Sequence, residues 1–348
     1  MAQRVLRWPA EWEPQAGVLV AWPHAQTDWA PRLAAVENGY VALVAAIARH
    51  ERCVICVVDT TLQTRVHGLL AAAGADLQHV QFVQVAYDDT WLRDSGPIIL
   101  RQDDGFQYVD FRFTGWGGKF GAEQDDALAG HLLDQGMFVA GTHARHDFAL
   151  EGGAIEGDGA GTLLTTWRCL HQRHPHLHRD ALDQHLREKL GAQRVLWLRH
   201  GYLEGDDTDA HIDTLARFSP DGGIVFQACD DPNDAHYAEL AAMREELAAL
   251  RDARGHPYRL HALPWVKPVI DAGRRLAASY ANYLVINDAV LVPSYDDPAD
   301  AEAAHIIGAA HPGRGVVSVP CRALIWQNGS LHCVTMQIPA GALSQHAG

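Results

Sequence analysis

Positive charge is scarce in this chain. Lys and Arg number 28 against 43 Asp and Glu, a formal charge of −15 over 348 residues with neutral His. A phosphate-binding surface needs concentrated cations, so this balance argues against nucleic-acid and anionic-membrane partners. Long hydrophobic runs are missing too. The longest, Tyr40 to Ala48, is too short to span a bilayer and is closed by Arg49 and His50. The opening MAQRVLRWPAEWEP places no apolar stretch ahead of its charges, which predicts no signal peptide and a cytoplasmic protein. Six cysteines (Cys53, Cys56, Cys169, Cys229, Cys321, Cys333) are too few for a disulfide scaffold and are expected as thiols. No linker, low-complexity tract or charge run divides the chain, and 48% hydrophobic residues supply a large core. A single domain over residues 1–348 is expected.

What is present is a recurring order of strand, strand, helix, strand. Pro97 to Leu100 and Phe106 to Phe113 read as strands around the turn Gln102-Asp103-Asp104-Gly105, followed by a helix from Asp125 to Gln135 and the apolar run Met137 to Ala140. Ala154–Ile155 and Thr162 to Thr166 flank Gly157-Asp158-Gly159, ahead of a helix at Arg179 to Leu190 and a strand at Arg194 to Leu198. Ile212 to Phe218 and Ile224 to Ala228 flank Ser219-Pro220-Asp221-Gly222-Gly223, a strong hairpin turn. A helix from Asp234 to Arg254 follows, with Asp234 as N-cap and Gly255 as its stop, then a strand at Tyr258 to Leu263. Tyr283 to Ile286, Val290 to Pro293, a helix near Pro298 to Ala310 and Val316 to Val319 make a fourth unit.

A fifth unit starts with Val334 to Ile338. Its remaining parts are expected from the N-terminal segment: strand Gly17 to Trp22, helix Pro31 to Arg49 and strand Cys53 to Val58, with an extra helix and strand at Leu62 to Ala73 and Val80 to Val85. Such closure removes exposed sheet edges. The fold expected is α/β, a five-bladed pseudo-symmetric propeller of strand-strand-helix-strand modules.

Asp94, Glu151, His211, Asn282 and Cys333 open the five units at intervals of 57, 60, 71 and 51 residues. In a circular array equivalent positions converge on one axis, so these side chains are expected in one pocket. Cys333 sits where a small-residue loop, Asn328 to His332, runs into a strand. His211 and Asp213 are spaced to face one ligand from a strand. A Cys, a His and two or three carboxylates suit a guanidinium ion, whose planar N–H fork matches carboxylate pairs and whose carbon a thiol can attack.

These motifs resemble the agmatine deiminase family, also called the Porphyromonas-type peptidylarginine deiminase family, within the guanidine-modifying superfamily. The resemblance covers Trp22-Pro23, Trp91 to Pro97, Trp116-Gly117-Gly118, Glu151-Gly152-Gly153, Gly205 to Asp213, Ser279 to Asn282, Tyr295-Asp296-Asp297 and His332 to Thr335. It implies a five-fold pseudo-symmetric α/β propeller, Cys333 as nucleophile, His211 as general acid and base, and Glu151 as its orienting partner. Asp94 and Asp213 would clamp guanidinium nitrogens, with Trp91 and Asn282 completing the substrate site. Neither a metal nor an organic cofactor is called for. The implied reaction is hydrolysis of agmatine to N-carbamoylputrescine and ammonia through a thiouronium, within polyamine synthesis. Asn328, Ser330 and Leu331 depart from the family's glycine run before Ile-His-Cys, and Ala210 stands where Gly usually precedes the histidine.

Other readings stay open beside it. The same chemistry on free or peptidyl arginine would need a cation for the substrate carboxylate, and Arg93, Arg112 and Arg168 are candidates. A metal-dependent hydrolase could use His211, Asp213 and the histidines of residues 171–178, although a solvated loop is expected there. A non-catalytic guanidinium-binding protein is the third. Cys53-Val54-Ile55-Cys56 lacks a second pair at zinc spacing and reads as core strand, and Asp296-Asp297-Pro298 reads as a turn before a helix. The partner expected is a small cationic guanidine, with assembly left open, a homo-oligomer included.

Overall fold

The computed structural model describes residues 6–103 and 105–344. Asp104 of the expected 102–105 turn lies outside the described residues, as do the first five. The architecture is α/β. Arg52–Val57 is an almost wholly buried apolar run, the pattern of a strand covered on both faces. It pairs in parallel with Gln15–Ala21 and Val80–Gln84, and helices Leu33–Ile47 and Thr60–Ala72 make the two crossovers. Cys53 and Cys56 are core residues of this strand. The Asp59 side chain caps the second helix by accepting from Leu62 N at 2.7 Å. Gly17 lets the sheet close up, since a Cβ there would lie 2.5 Å from Arg52 O.

Four of the other sheets repeat one plan, an antiparallel hairpin whose second strand takes a parallel partner after a helix. Ile98–Gln102 and Gly105–Arg112 pair antiparallel, and Gly105–Arg112 pairs in parallel with Thr142–Ala149. The same holds for Ile155–Gly157, Thr162–Thr166 and Arg194–Leu198. It holds again for Ala216–Ser219, Gly223–Gln227 and Arg259–Leu263, and for Leu284–Ile286, Ala289–Ser294 and Gly315–Pro320. Thr335–Pro339 then lies antiparallel on Gln15–Ala21, with Thr335 opposite Val20, so the first and last parts of the chain share a sheet. Among the described residues no helix is long and apolar enough to cross a membrane.

Several elements differ from the sequence reading. The parallel strand of the first hairpin is Thr142–Ala149, not the apolar run at Met137. It is an edge strand, half-exposed along most of its length, so hydrophobicity does not mark it. Ile212–Thr214 is a one-turn 3-10 segment, and the strand begins only at Ala216. The long helix spans Tyr237–Ala249 rather than 234–254. Asp234 instead accepts from His236 N, Trp265 Nε1 and Arg275 in the turn before it. Trp167–Arg173 is a helix capped by Thr166, where a solvated loop was expected from residue 171. The hairpin Ile270–Asp271 with Arg274–Arg275 had no sequence signal.

Candidate active site

Each of the five marker residues precedes one strand of an antiparallel pair. Asp94 lies on the short helix Leu92–Ser95, Glu151 and His211 each stand just before a 3-10 turn, and Asn282 and Cys333 lead into Leu284–Ile286 and Thr335–Pro339. All five are at least 95% buried. Gly153 marks where three elements meet. A Cβ at that position would lie 2.6 Å from His211 Nδ1, 2.8 Å from Asp94 Oδ1 and 3.1 Å from Asp213 Oδ2. His211 and Asp213 therefore face one point, from a 3-10 turn rather than from a strand.

Cys333 Sγ is 3.6 Å from Asp213 Oδ2. Asn282 sits against this nucleophile loop: its Oδ1 accepts from His332 N at 2.9 Å, and its Nδ2 is 3.2 Å from Cys333 Sγ. Arg93 N donates to Cys333 O at 3.1 Å, tying the Asp94 turn to the same loop.

Unused hydrogen-bonding capacity is concentrated here. Both ring nitrogens of His211 and Oδ1 of Asp213 are buried without a hydrogen-bond partner. Buried polar atoms are ordinarily satisfied, so these three can hydrogen-bond to a ligand. His211 Nδ1 is 3.7 Å from Asp94 Oδ1 and Nε2 is 3.6 Å from Glu151 Oε2, beyond hydrogen-bond range but close enough for strong electrostatics.

Charges set the protonation states. Burial, with Asp213 and Glu151 nearby, raises Asp94 to about 6. Burial opposes a charge on His211, yet Asp94, with Cys169 and Glu151, holds its pKa well above the ordinary imidazole value. For Glu151 burial pulls upward, but His211 and Arg173 outweigh it and leave the carboxyl at about 2. Burial, then Asp213 and Asp94, push the Cys333 thiol well above its usual range.

Two residues given no role from the sequence complete the surroundings. Arg173, at the end of the unexpected helix, donates from Nε to Glu151 Oε1 at 2.6 Å, from Nη1 to Asp209 Oδ2 at 2.6 Å and from Nη2 to Thr208 O at 2.9 Å. Trp116 Nε1 donates to Asp94 Oδ2 at 2.9 Å, which its left-handed backbone (φ 57°) makes possible. The Trp-Gly-Gly motif was a signal for Trp116; Arg173 had none, because it lay in a histidine run.

A cavity of about 410 Å³ opens onto Cys333 and Asp94 and is walled by Trp91, Trp116, Phe113 and Trp326. A larger open groove of about 1040 Å³ lies across the Phe113–Ala122 segment, and none of the five marker residues lines it.

The sequence matches the profile of Porphyromonas-type peptidyl-arginine deiminases over residues 7–339. The chain belongs to that family. Similar members include agmatine deiminases of Stutzerimonas stutzeri and Pseudomonas putida, each 34% identical over 95% of both chains. Among solved structures, a substrate-bound agmatine deiminase of C. jejuni is 32% identical with a TM-score of 0.90 over 99% of both chains. A Porphyromonas gingivalis structure proposed to be an arginine deiminase is 45% identical, TM-score 0.91, over 97% of this chain and all of that one.

In this family member the expected arginines do not line the cavity. Arg93 is buried beneath it against Glu11 and Gln337, Arg112 pairs with Asp147 beside the larger groove, and Arg168 lies over the Tyr202 ring. The histidine run does not converge on a metal position. His171 stacks on Trp167, and His174 stacks on Phe148 with Nε2 at 2.8 Å from Ala149 O. Among the described residues one group, Glu151, Cys169 and His211, has ligand atoms within 4.8 Å of one another. The Arg173 guanidinium already engages that glutamate, so its charge opposes a second cation there.

Proposed function

We propose that this deiminase hydrolyses agmatine to N-carbamoylputrescine and ammonia through a thiouronium on Cys333. One observation carries the choice of substrate. The cavity beyond Cys333 is lined by Asp28, Asp88, Asp89, Asp125 and Asp207, and by no Lys or Arg. Such a wall attracts the far ammonium of agmatine and repels the carboxylate of arginine. Burial, with Asp28 beside one and Asp88 beside the other, raises Asp89 and Asp125 to about 7, a strain that an ammonium relieves. Arginine is the second reading, favoured by the 45% identity to the Porphyromonas gingivalis structure.

The guanidinium docks with its N–H groups on Asp94 and on the free Oδ1 of Asp213, over the floor formed by Gly153. Its positive charge offsets the two carboxylates that hold Cys333 protonated, and the thiol releases its proton to solvent, to regain one when the product leaves. The sulfur forms a bond to the central carbon. His211, an imidazolium at the start, protonates one amino group, and the C–N bond breaks to release ammonia. The neutral imidazole then takes a proton from water as the hydroxyl adds to the thiouronium carbon. Collapse breaks the C–S bond, restores the thiolate, and leaves the ureido product. The hydroxyl proton departs to solvent, where ammonia takes it up. Glu151, fixed by Arg173, holds the charge and orientation of His211.

We extend the same reading to the fold: the five sheets of three or four strands are the blades of one pseudo-symmetric α/β propeller, a single deiminase domain. The repeated antiparallel-then-parallel strand plan and the shared first-and-last sheet support it.

Ammonia release from agmatine, with equimolar ureido product identified by mass spectrometry, tests the assignment; no release from agmatine or arginine removes it. In a pH series kcat/KM is expected to fall below about pH 7 as Asp89 and Asp125 gain protons and lose their hold on the ammonium, and to fall more steeply below about pH 6, where Asp94 gains a proton and the clamp loosens. It should fall again on the alkaline side, once His211 loses the proton it must donate. Asp94→Asn should remove the steeper fall near pH 6 along with most of the rate, and an unchanged fall there in that variant argues against Asp94 as the clamp. Gly153→Ala is expected to lower kcat/KM by about 10²-fold or more, because the methyl would push apart the His211, Asp94 and Asp213 side chains that meet there. Calorimetric titration with agmatine should show the matching loss of affinity.

A further inference from the structure

His332 precedes the nucleophile, yet its side chain turns away from the cavity. It is 1% exposed and lies between two carboxylates, with Nδ1 2.8 Å from Asp213 Oδ2 and Nε2 2.7 Å from Glu11 Oε1. Glu11 comes from the N-terminal segment, far from the other site residues in sequence. Its second oxygen accepts from Arg217, which also holds Glu156 at 2.6 Å, and Arg93 Nη1 stands 3.3 Å from Oε1.

A neutral imidazole has one N–H, but here both nitrogens meet carboxylate oxygens at hydrogen-bond distance. One further proton must therefore lie within Glu11, His332 and Asp213, or one contact would set lone pair against lone pair. Burial, then Arg217 and Arg93, hold the His332 pKa below the ordinary imidazole value against the pull of Glu11 and Asp213. Asp213 divides its oxygens as a result. Oδ2 is taken by His332, while Oδ1 has no partner and is free for substrate.

We propose that His332, braced by Glu11, is a positioning residue that holds Asp213 with one oxygen locked and the other presented to the guanidinium. This rests on the deiminase reading above. It makes the N-terminal segment part of the catalytic support, although no atom of it need touch substrate. It also gives Asp213 its charge. Burial raises the Asp213 carboxyl, and the His332 hydrogen bond, with His332, His211 and Arg217 as charges, brings it below the usual range.

An Asn amide can donate from about where Nδ1 stands, whereas a Gln amide reaches toward Nε2. His332→Asn should keep kcat/KM for agmatine within about tenfold of the parent. His332→Gln should lose about 10²-fold, with KM raised at least tenfold, and should move the acid limb to higher pH as Asp213 loses its depressing partner. Circular dichroism and thermal melting establish that both variants fold. Equal losses in the two with an unmoved acid limb, or full activity in His332→Gln, overturn the proposal.

A readout independent of turnover separates its failure from that of the deiminase reading. A far-downfield imidazole N–H resonance in the proton NMR spectrum should vanish in His332→Gln and Asp213→Asn and persist in His211→Asn. Its persistence in His332→Gln would remove the triad even if agmatine is turned over. Its expected pattern, alongside a parent that releases no ammonia, would leave the triad intact and remove the deiminase reading.

Discussion

Cys333→Ala is expected to slow ammonia release from agmatine by at least about 10⁴-fold while leaving agmatine binding intact. The sulfur supplies the only bond to the substrate in the proposed mechanism, and no neighbouring group replaces it: Asp213 is held by His332, and His211 lacks the nucleophilicity to displace an amine from a resonance-stabilised cation. Binding should survive because Asp94 and Asp213 make it, and Cys333 is a neutral thiol in the free protein. Coupled ammonia detection gives the rate and calorimetry the affinity. Treatment with a chelator should change neither. Residual turnover within tenfold of the parent, or loss of activity with chelator, would favour the metal-dependent hydrolase.

The second large effect is discrimination. The ratio of kcat/KM for agmatine over arginine is expected to reach about 10³, since juxtaposed like charges cost several kcal/mol and each 1.4 kcal/mol is a factor of ten. The two substrates present the same guanidinium to Cys333 and differ by one carboxylate, which here meets aspartates and no cation. A C-terminal-arginine peptide carries that carboxylate too and should be equally poor. Initial rates over the three compounds decide the matter. Arginine within tenfold of agmatine would make the Porphyromonas gingivalis structure the better guide.

The markers Asp94, Glu151, His211, Asn282 and Cys333 were picked out through the family motifs they stand in, and each also stands at the start of a repeating unit, next to turn residues that local sequence displays. Hairpins with strong turns, such as Ser219 to Gly223, were legible from such turn residues. Thr142–Ala149 was not, because an edge strand facing water carries no apolar alternation. Arg173 was hidden in a histidine-rich run whose helix depends on the Thr166 cap and on burial against Glu151. The link from Glu11 to His332 was hidden more deeply: pairing between residues at opposite ends of a chain leaves no local pattern at either end. Asn282, expected on the substrate side, lies against the nucleophile's own backbone, a distinction that spacing alone does not carry.

Pairing of Thr335–Pro339 with Gln15–Ala21 has a consequence for how the enzyme comes into being. On the ribosome Gln15–Ala21 is made long before Thr335–Pro339, the strand that follows Cys333. High contact order of this kind slows folding, and the early strand waits with an unpaired edge while most of the protein is synthesised. Competence therefore arrives in one step, when Thr335–Pro339 docks, and a polypeptide cut short before residue 333 lacks both the nucleophile and the strand that pairs with Gln15–Ala21.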